Sequence, residues 1–320
     1  MKVSFRATLI LLTTALIWGF AFVAQVLGGD HIGAFTFNGL RFTLGGLCLI
    51  PVYLLFERKR DLTKDAWRQK QKKTLIAACF GGVALFVASA LQQIGATMTR
   101  DPGTAGFMTG LYTILTPIFY LIIFKKKSPW NTWVGVVLAV VGLYLLCLKE
   151  GGNPSVGWGE VLLLLGSLFW AAHILIVDHF VADISPLHFS SWQFILCGVL
   201  SMLVAVFTET LTWDDLWAGK WSILYCGLLS VGVAYTLQTL GQKYAPPTYA
   251  AIVLSTESVF AAVGGVLWNL ISPANFHVDQ DILPIGYVGC AIIFAGIVLA
   301  QLDFSKPKAH GRDTNERKTI

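Results

Sequence analysis

Charged residues are scarce in this chain. Asp, Glu, Lys and Arg make up 13% of its 320 residues and the hydrophobic set 55%, whereas a soluble domain carries roughly 25% charge. That deficit excludes an ordinary water-soluble globule. Cysteine offers no framework either. The six (Cys48, Cys79, Cys147, Cys197, Cys226 and Cys290) stand singly inside apolar segments, with no CxxC pair and no metal-ligand spacing, so they imply no metal site and leave the redox compartment open. The apolar segments also lack an HExxH, paired aspartates and any glycine-rich phosphate loop after a strand. An intramembrane enzyme therefore stays only as a minor alternative, beside a non-transporting receptor or scaffold. No cofactor is expected.

Long apolar runs are what the chain has instead. About 20 apolar residues are needed for a helix to cross ~30 Å of hydrocarbon, and ten such segments are expected near 5–27, 32–56, 74–97, 103–124, 131–148, 158–180, 187–208, 219–242, 247–269 and 283–303. Turn chemistry separates them, as in "TRDPG", "KKKSPWN", "EGGNPSVG" and "YAPP". The first run follows Lys2 and Arg6 in the manner of a secretory signal, but it continues past Trp18 to Val26, longer than a signal's apolar core of about 7–15 residues, and reads as a retained helix.

Basic residues orient the spans, because cytoplasmic loops carry the excess of Lys and Arg. With the N-terminus inside, nineteen of the 23 fall on the inner side, only Arg100, Lys149 and Lys220 fall outside, and Arg41 lies within the second span. Both termini are thus expected in the cytoplasm, and the chain in the inner (plasma) membrane. The basic stretch "ERKRDLTKDAWRQKQKK" reads as a loop against anionic lipid rather than a nucleic-acid site. The expected partners are a small-molecule substrate, with a proton as one candidate coupling ion, and membrane lipids. Monomer and weak homodimer both stay open.

The chain repeats itself. "ALIWGFAF" and "SLFWAAHI" set Trp18 against Trp170, and the same offset of 152 sets Phe37, Arg41 and Phe42 against Phe189, Gln193 and Phe194. "LQQIG" pairs with "LQTLG", aligning Gln92 with Gln238, and Gly135 and Gly142 pair with Gly289 and Gly296. Five spans per copy is an odd number, so the second copy is inverted in the membrane. The expected fold is an all-α polytopic membrane protein of ten helices, built as two inverted five-helix repeats around a central cavity. The expected units are residues 1–150, 151–303 and a disordered cytoplasmic tail at 304–320. Inverted repeats of this kind build many secondary transporters, which expose a midplane site alternately to the two sides.

The stretches "ALIWGFAFVAQ", "FNGLRF", "AGFMTGLYTILTP" and "AAIVLSTESVFAAVGG" resemble the drug/metabolite transporter superfamily, EamA-type branch, over about 3 to 303. The resemblance implies a carrier of small metabolites, most often an exporter of amino acids or related compounds. A proline usual just after the Glu of the ninth helix is replaced here by Ser258, which argues against a kink at that point.

Ionisable residues inside a bilayer are functional candidates, since a central acidic side chain costs up to about 3 kcal/mol on insertion. Glu257 and Arg41 meet that description. Counted at 1.5 Å per residue, Arg41 lies about 10 Å and Glu257 about 18 Å below the outer ends of their helices, so the two pair across helices two and nine, or at least one contacts substrate, or they face lipid and snorkel. Gln92 and Gln238, equivalent in the two repeats, are candidates for opposite ends of a shared cavity, and Trp18 and Trp170 for its aromatic walls. Tyr112 aligns with Glu257 and would give the site a phenol facing a carboxylate. His173, one turn from Trp170, is a candidate proton relay or a hydrogen-bonded core residue. Gln93 and Asn38 read as interhelical hydrogen-bond partners. The glycine pair of "GFMTG" permits close packing of helix four, and Pro117 is a candidate hinge. The cavity is expected between helices one, three, four, six, eight and nine.

Overall fold

The computed structural model describes residues 4–56, 63–146, 148 and 157–301. The expected tail at 304–320 lies outside the described residues, as does most of the loop between the two repeats. Within them the chain forms ten helices and no strand. They are α1 (Phe5–Gly29), α2 (Ala34–Phe56), α3 (Lys64–Thr99), α4 (Pro102–Phe124), α5 (Trp130–Leu146), α6 (Trp158–Phe180), α7 (Pro186–Thr208), α8 (Trp213–Gln242), α9 (Pro247–Ile271) and α10 (Pro284–Gln301). Eight are long and apolar enough to cross a membrane, and α5 and α10 are shorter apolar helices. Large exposed side chains such as Phe56, Phe80, Ile122, Phe207, Ile271 and Phe294 form the surface that hydrocarbon would cover.

Local chemistry sets the ends. Ser4 Oγ accepts from the Ala7 amide at 3.2 Å, and Asp101 Oδ1 accepts from Thr104 at 3.0 Å ahead of Pro102 at the first helical position. Two helices start earlier than expected. α3 begins at Lys64 rather than 74 because Thr63 caps it and residues 64–73, rich in Lys and Gln, contain no breaker. α8 begins at Trp213 rather than 219 because Thr212 and Asp215 form a reciprocal capping box.

Three helices are irregular inside the span. α4 is interrupted at Leu111, six residues ahead of Pro117, so the hinge chemistry is not where the proline alone would put it. α9 is interrupted at Ser255 and Thr256, contrary to the unkinked helix expected from Ser258. Here the ladder tightens to i→i−3 bonds, with Ser258 N on Ser255 O and Val259 N on Thr256 O, while the Ser255 and Thr256 hydroxyls bond back to Ile252 O and Val253 O. Such back-bonding bends a helix without proline. In α8, residues Tyr225–Tyr235 adopt a π-helix.

The packing obeys the duplication. α2 lies against α7, α5 against α10, and α4 against α9, each helix meeting its own counterpart. α1 packs on α8 and α9 as α6 packs on α3 and α4, and α2 meets α8 as α7 meets α3. Exchanging the first five helices for the last five therefore maps these contacts onto themselves. Close approach at α5 and α10 needs glycine: a Cβ at Gly135 would sit 2.8 Å from the Gly296 carbonyl, and one at Gly142 would sit 2.5 Å from that of Gly289. Each glycine thus faces the counterpart of the other: Gly135 is aligned with Gly289 but meets Gly296, and Gly142 is aligned with Gly296 but meets Gly289, as two helices related by the repeat exchange require. Gly106 and Gly110 similarly admit Ser258 of α9.

Candidate functional site

Trp18, Phe22 and Gln25 recur at i, i+4 and i+7 on one face of α1, and that face opens on an enclosed cavity at the centre of the bundle. Arg41 of α2 and Gln92 of α3 reach it, as do Thr109 and Tyr112 on the two sides of the α4 interruption. The second repeat supplies Trp170 and Ile174 of α6, Ser230, Tyr235 and Gln238 of α8, and Glu257 of α9. These are the helices expected around the cavity, with α2 added through Arg41. The centre of a water-sized sphere can move through only about 30 Å³ of the space between these side chains. The space is narrow: it has room for a few waters, and a metabolite would have to part its walls.

Glu257, 4% exposed, opens the second half of α9, and its Oε1 accepts a hydrogen bond from the Tyr112 hydroxyl at 3.1 Å. The position suits a carboxyl group, because the first turn of a helix favours negative charge. Arg41, 2% exposed, does not join it. No carboxylate oxygen among the described residues comes within 4.0 Å of the guanidinium. Its Nε donates instead to Asn38 Oδ1 at 2.9 Å, one turn earlier on α2, and its plane lies 5.0 Å from the Phe42 ring centre and 5.5 Å from that of Phe37. The expected pairing alternative of Arg41 with Glu257 is therefore corrected. Depth along two helices fixes height in the membrane but not the direction in which each side chain points.

The aromatic walls converge on Tyr235. Its ring centre is 4.5 Å from Trp18 and 6.0 Å from Trp170, the repeat-equivalent tryptophans, and 6.0 and 5.6 Å from the equivalent pair Phe42 and Phe194. Trp18 Nε1 donates to the Ser230 carbonyl inside the π-helical stretch, whereas Trp170 Nε1 is buried without a partner.

The amides close the ends. Gln92 Nε2 donates to Gln25 Oε1 at 3.0 Å and Gln93 Nε2 to the Gln25 carbonyl at 2.8 Å, joining α1 to α3 at the end of the bundle that holds the α1–α2 loop. At the opposite end, Gln238 Nε2 donates to Gln242 Oε1, and Gln242 Nε2 to the Ile174 carbonyl, both at 2.9 Å, joining α8 to α6. Gln93 and Asn38 thus act as interhelical and intrahelical hydrogen-bond partners. His173 does not line the cavity. It stands behind Trp170 and Tyr235, with Nε2 3.0 Å from Gln193 Oε1, which leaves the proton-relay reading without a path to the cavity in this conformation.

Sequence reasoning did not single out Phe22, Gln25, Thr109, Ile174, Ser230 or Tyr235. Gln25 carried a usable signal, a polar residue two turns beyond Trp18. Tyr235 carried little, since aromatics form 13% of the chain and its equivalent in the first repeat is a serine, Ser89. Among the described residues no group of His, Cys, Asp and Glu could hold a metal.

Ten membrane helices in two exchangeable halves around an enclosed polar cavity define a membrane transport protein of the inverted-repeat kind. The model of the EamA-like transporter family matches residues 5–148 and again 157–302, and the chain belongs to that family. It is similar to an uncharacterised transporter of Archaeoglobus fulgidus, 30% identical over 296 residues that cover 92% of this chain and 86% of the relative. It is also similar to the uncharacterised transporter YwfM of Bacillus subtilis, 22% identical with 91% and 92% covered, and to the uncharacterised inner membrane transporter YedA of Escherichia coli, 26% identical over 49% of this chain and 48% of YedA. A solved crystal structure superposes with a TM-score of 0.72 at 18% identity, over 92% of this chain and 95% of the other, and has the same fold. The protein is a membrane transporter.

Proposed function

We propose that the protein is a secondary carrier that moves small zwitterionic or amphipathic metabolites, amino acids and their relatives first among them, out of the cell by alternating access. One observation carries this reading: both repeats contribute to a single enclosed cavity that holds a guanidinium, a carboxyl group, amides and aromatic rings. A polyanion would need several cations there, and the described lining offers Arg41 as its one basic residue. The outward direction rests on the resemblance to the exporter family, and the inner membrane on the basic-residue count together with the name of YedA. The bodies that rock would each draw helices from both repeats, α1 with α8 and α9 on one side and α6 with α3 and α4 on the other.

The test is counterflow of labelled amino acids in proteoliposomes containing the purified chain. Saturable exchange that unlabelled amino acids compete for is expected. Chemical conversion of the solute without movement would replace the carrier by an intramembrane enzyme. A second reading, uptake of a flat vitamin- or nucleobase-like solute, is favoured by the rings of Trp18, Tyr235 and Trp170, and competition by nucleobases but not by amino acids would select it.

A further inference from the structure

Among the described residues no carboxylate pairs with Arg41. The guanidinium is buried at the wall of the cavity, its Nε is spent on Asn38, and its Nη2 is fully enclosed with no hydrogen-bond partner. The rings of Phe37 and Phe42 flank it. The other titratable side chains within its field are the thiols of Cys197 and Cys226 on α7 and α8 and the phenol of Tyr235 on α8, groups that are ordinarily neutral at neutral pH. Removing a guanidinium from water without a paired anion is costly, and a helix pair built only for stability would place a carboxylate there. Glu257 is engaged elsewhere, by Tyr112.

Arg41, Tyr235 and Glu257 line the same cavity. Further polar atoms around the same space also lack partners: Trp170 Nε1, Thr109 Oγ1 and Gln238 Oε1. Two of these can donate and one accepts. Buried polar groups normally find partners, and all four of these atoms belong to residues that line the one cavity, which points to a missing guest there.

We propose that Arg41 Nη2 is the anchor for a carboxylate on the transported solute, which supplies the anion that the protein itself withholds. This deepens the carrier reading and rests on it. A free carboxylate becomes an obligatory feature of the substrate. The amino group and side chain of the solute then fall toward Glu257 and the rings around Tyr235, and an ester or a decarboxylated amine of the same skeleton cannot replace it. Asn38 acts as a positioning residue, because it holds Nε at 2.9 Å and so fixes the guanidinium at the cavity wall.

The experiment uses the full chain in detergent and reads thermal stabilisation with three matched sets of probes: the standard amino acids, their methyl esters, and the primary amines left by decarboxylation. Acetate, benzoate and chloride serve as simple anions. Stabilisation by free amino acids, with at least ten-fold weaker response to the matching esters and amines, is expected. R41Q should lose the amino-acid response, and R41K should keep part of it. Equal response to acids, esters and amines would overturn the anchor, and that comparison needs only the wild-type chain should R41Q fail to fold. Response to benzoate or acetate without amino acids would uphold the anchor and overturn the zwitterionic substrate. Stabilisation by chloride that depends on Arg41 and that no carboxylate displaces would overturn the proposal in favour of a resident structural anion.

Discussion

The Tyr112 hydroxyl donates to Glu257 Oε1 across 3.1 Å, although the residues are 145 positions apart, and they occupy the same place in the two repeats. Since exchanging the halves turns one residue into the other, their meeting point lies at the axis that relates the halves. Both follow an interruption of their helix, at Leu111 and at Ser255–Thr256. A contact on the axis survives when the two halves swap conformations. Contacts far from it, such as Gln92 to Gln25 at one end and Gln242 to the Ile174 carbonyl at the other, lie at opposite ends, and the proposed alternating access would open them in turn.

The axial bond should behave as a structural coupling. Tyr112→Phe leaves a buried carboxyl oxygen without its donor and is expected to cost about 1–3 kcal/mol. In a double-mutant cycle with Glu257→Leu, which removes the acceptor, measured by denaturation in detergent, a coupling of at least about 0.5 kcal/mol is expected. The parallel cycle of Glu257→Gln with Arg41→Gln should show none, because those side chains make no ion pair. A large Arg41–Glu257 coupling with none at Tyr112 would contradict the geometry.

The off-axis contacts should act as a gate instead. Gln25→Leu removes the acceptor of Gln92 and loosens α1 from α3 at the end holding the α1–α2 loop. With a cysteine replacing Thr109 in the cavity of an otherwise cysteine-free chain, an impermeant maleimide added from that side should react several-fold faster in Gln25→Leu. Tyr112→Phe should leave the rate unchanged. Identical rates in all three backgrounds would remove the gating role from Gln25.

The ten spans were legible because a helix crossing hydrocarbon must be long and apolar, and α1, α2, α6 and α7 declare themselves by composition alone. The correspondence of Trp18 with Trp170, and of Gly135 and Gly142 with Gly289 and Gly296 through their shared spacing, was legible because duplication preserves order. The interruptions were not. Neither Leu111 nor Thr256 is a proline or a glycine, and the α9 break arises from hydroxyls that bond to their own backbone, which serine and threonine do only in some settings. The partner of Arg41 was beyond reach for a different reason: helix depth is a one-dimensional coordinate, and which of several inward faces a long side chain follows depends on packing. Most of the proposed cavity lining was nonetheless expected, since polar and aromatic residues placed mid-span at equivalent sites have few other uses.

Glycine at the α5–α10 crossing offers a graded test of packing. Gly142→Ala puts a Cβ 2.5 Å from the Gly289 carbonyl and 2.7 Å from Ile293 Cγ1, so backbone must shift, at a cost of about 1–3 kcal/mol. At Gly166 the nearest atoms to an added Cβ are 3.5 Å away, an ordinary contact. Thermal denaturation should separate the two variants clearly. Equal stability would mean that α5 and α10 are not held at this spacing in the membrane.

The orientation rests on charge and is consistent with which loops touch. Arg100 pairs with Asp30 and reaches the His277 carbonyl, and Glu209 accepts from the Phe35 and Thr36 amides at the start of α2. All of these belong to the end expected outside. Lys73 pairs with Asp183 at 2.9 Å, and Ser128 meets Thr248 at 3.0 Å, at the end expected inside. Single cysteines at Trp213 and His277 should label from outside intact cells and one at Ser128 only after permeabilisation. Reversal at all three would invert the scheme, and reversal at one would break it.

Glu257 remains the most informative position for function, because a carboxyl group is an expensive way to accept one hydrogen bond from a phenol when an amide would serve. Two roles are separable by the same substitution. If the carboxyl group only braces α4 against α9, Glu257→Gln keeps an acceptor for Tyr112, and transport in proteoliposomes should persist with its pH dependence intact. If it binds the amino group of the solute or carries a coupling proton, Glu257→Gln should fold as well as wild type yet lose most transport, or keep exchange while losing net movement driven by a proton gradient. Measuring both counterflow and gradient-driven flux across pH 5 to 9, a range of about two units either side of neutrality, distinguishes these outcomes. The expected result is the second, because Glu257 faces the same cavity as the unpartnered atoms of Arg41, Thr109, Trp170 and Gln238. A well-folded Glu257→Gln with wild-type flux at every pH would assign the carboxyl group to architecture alone.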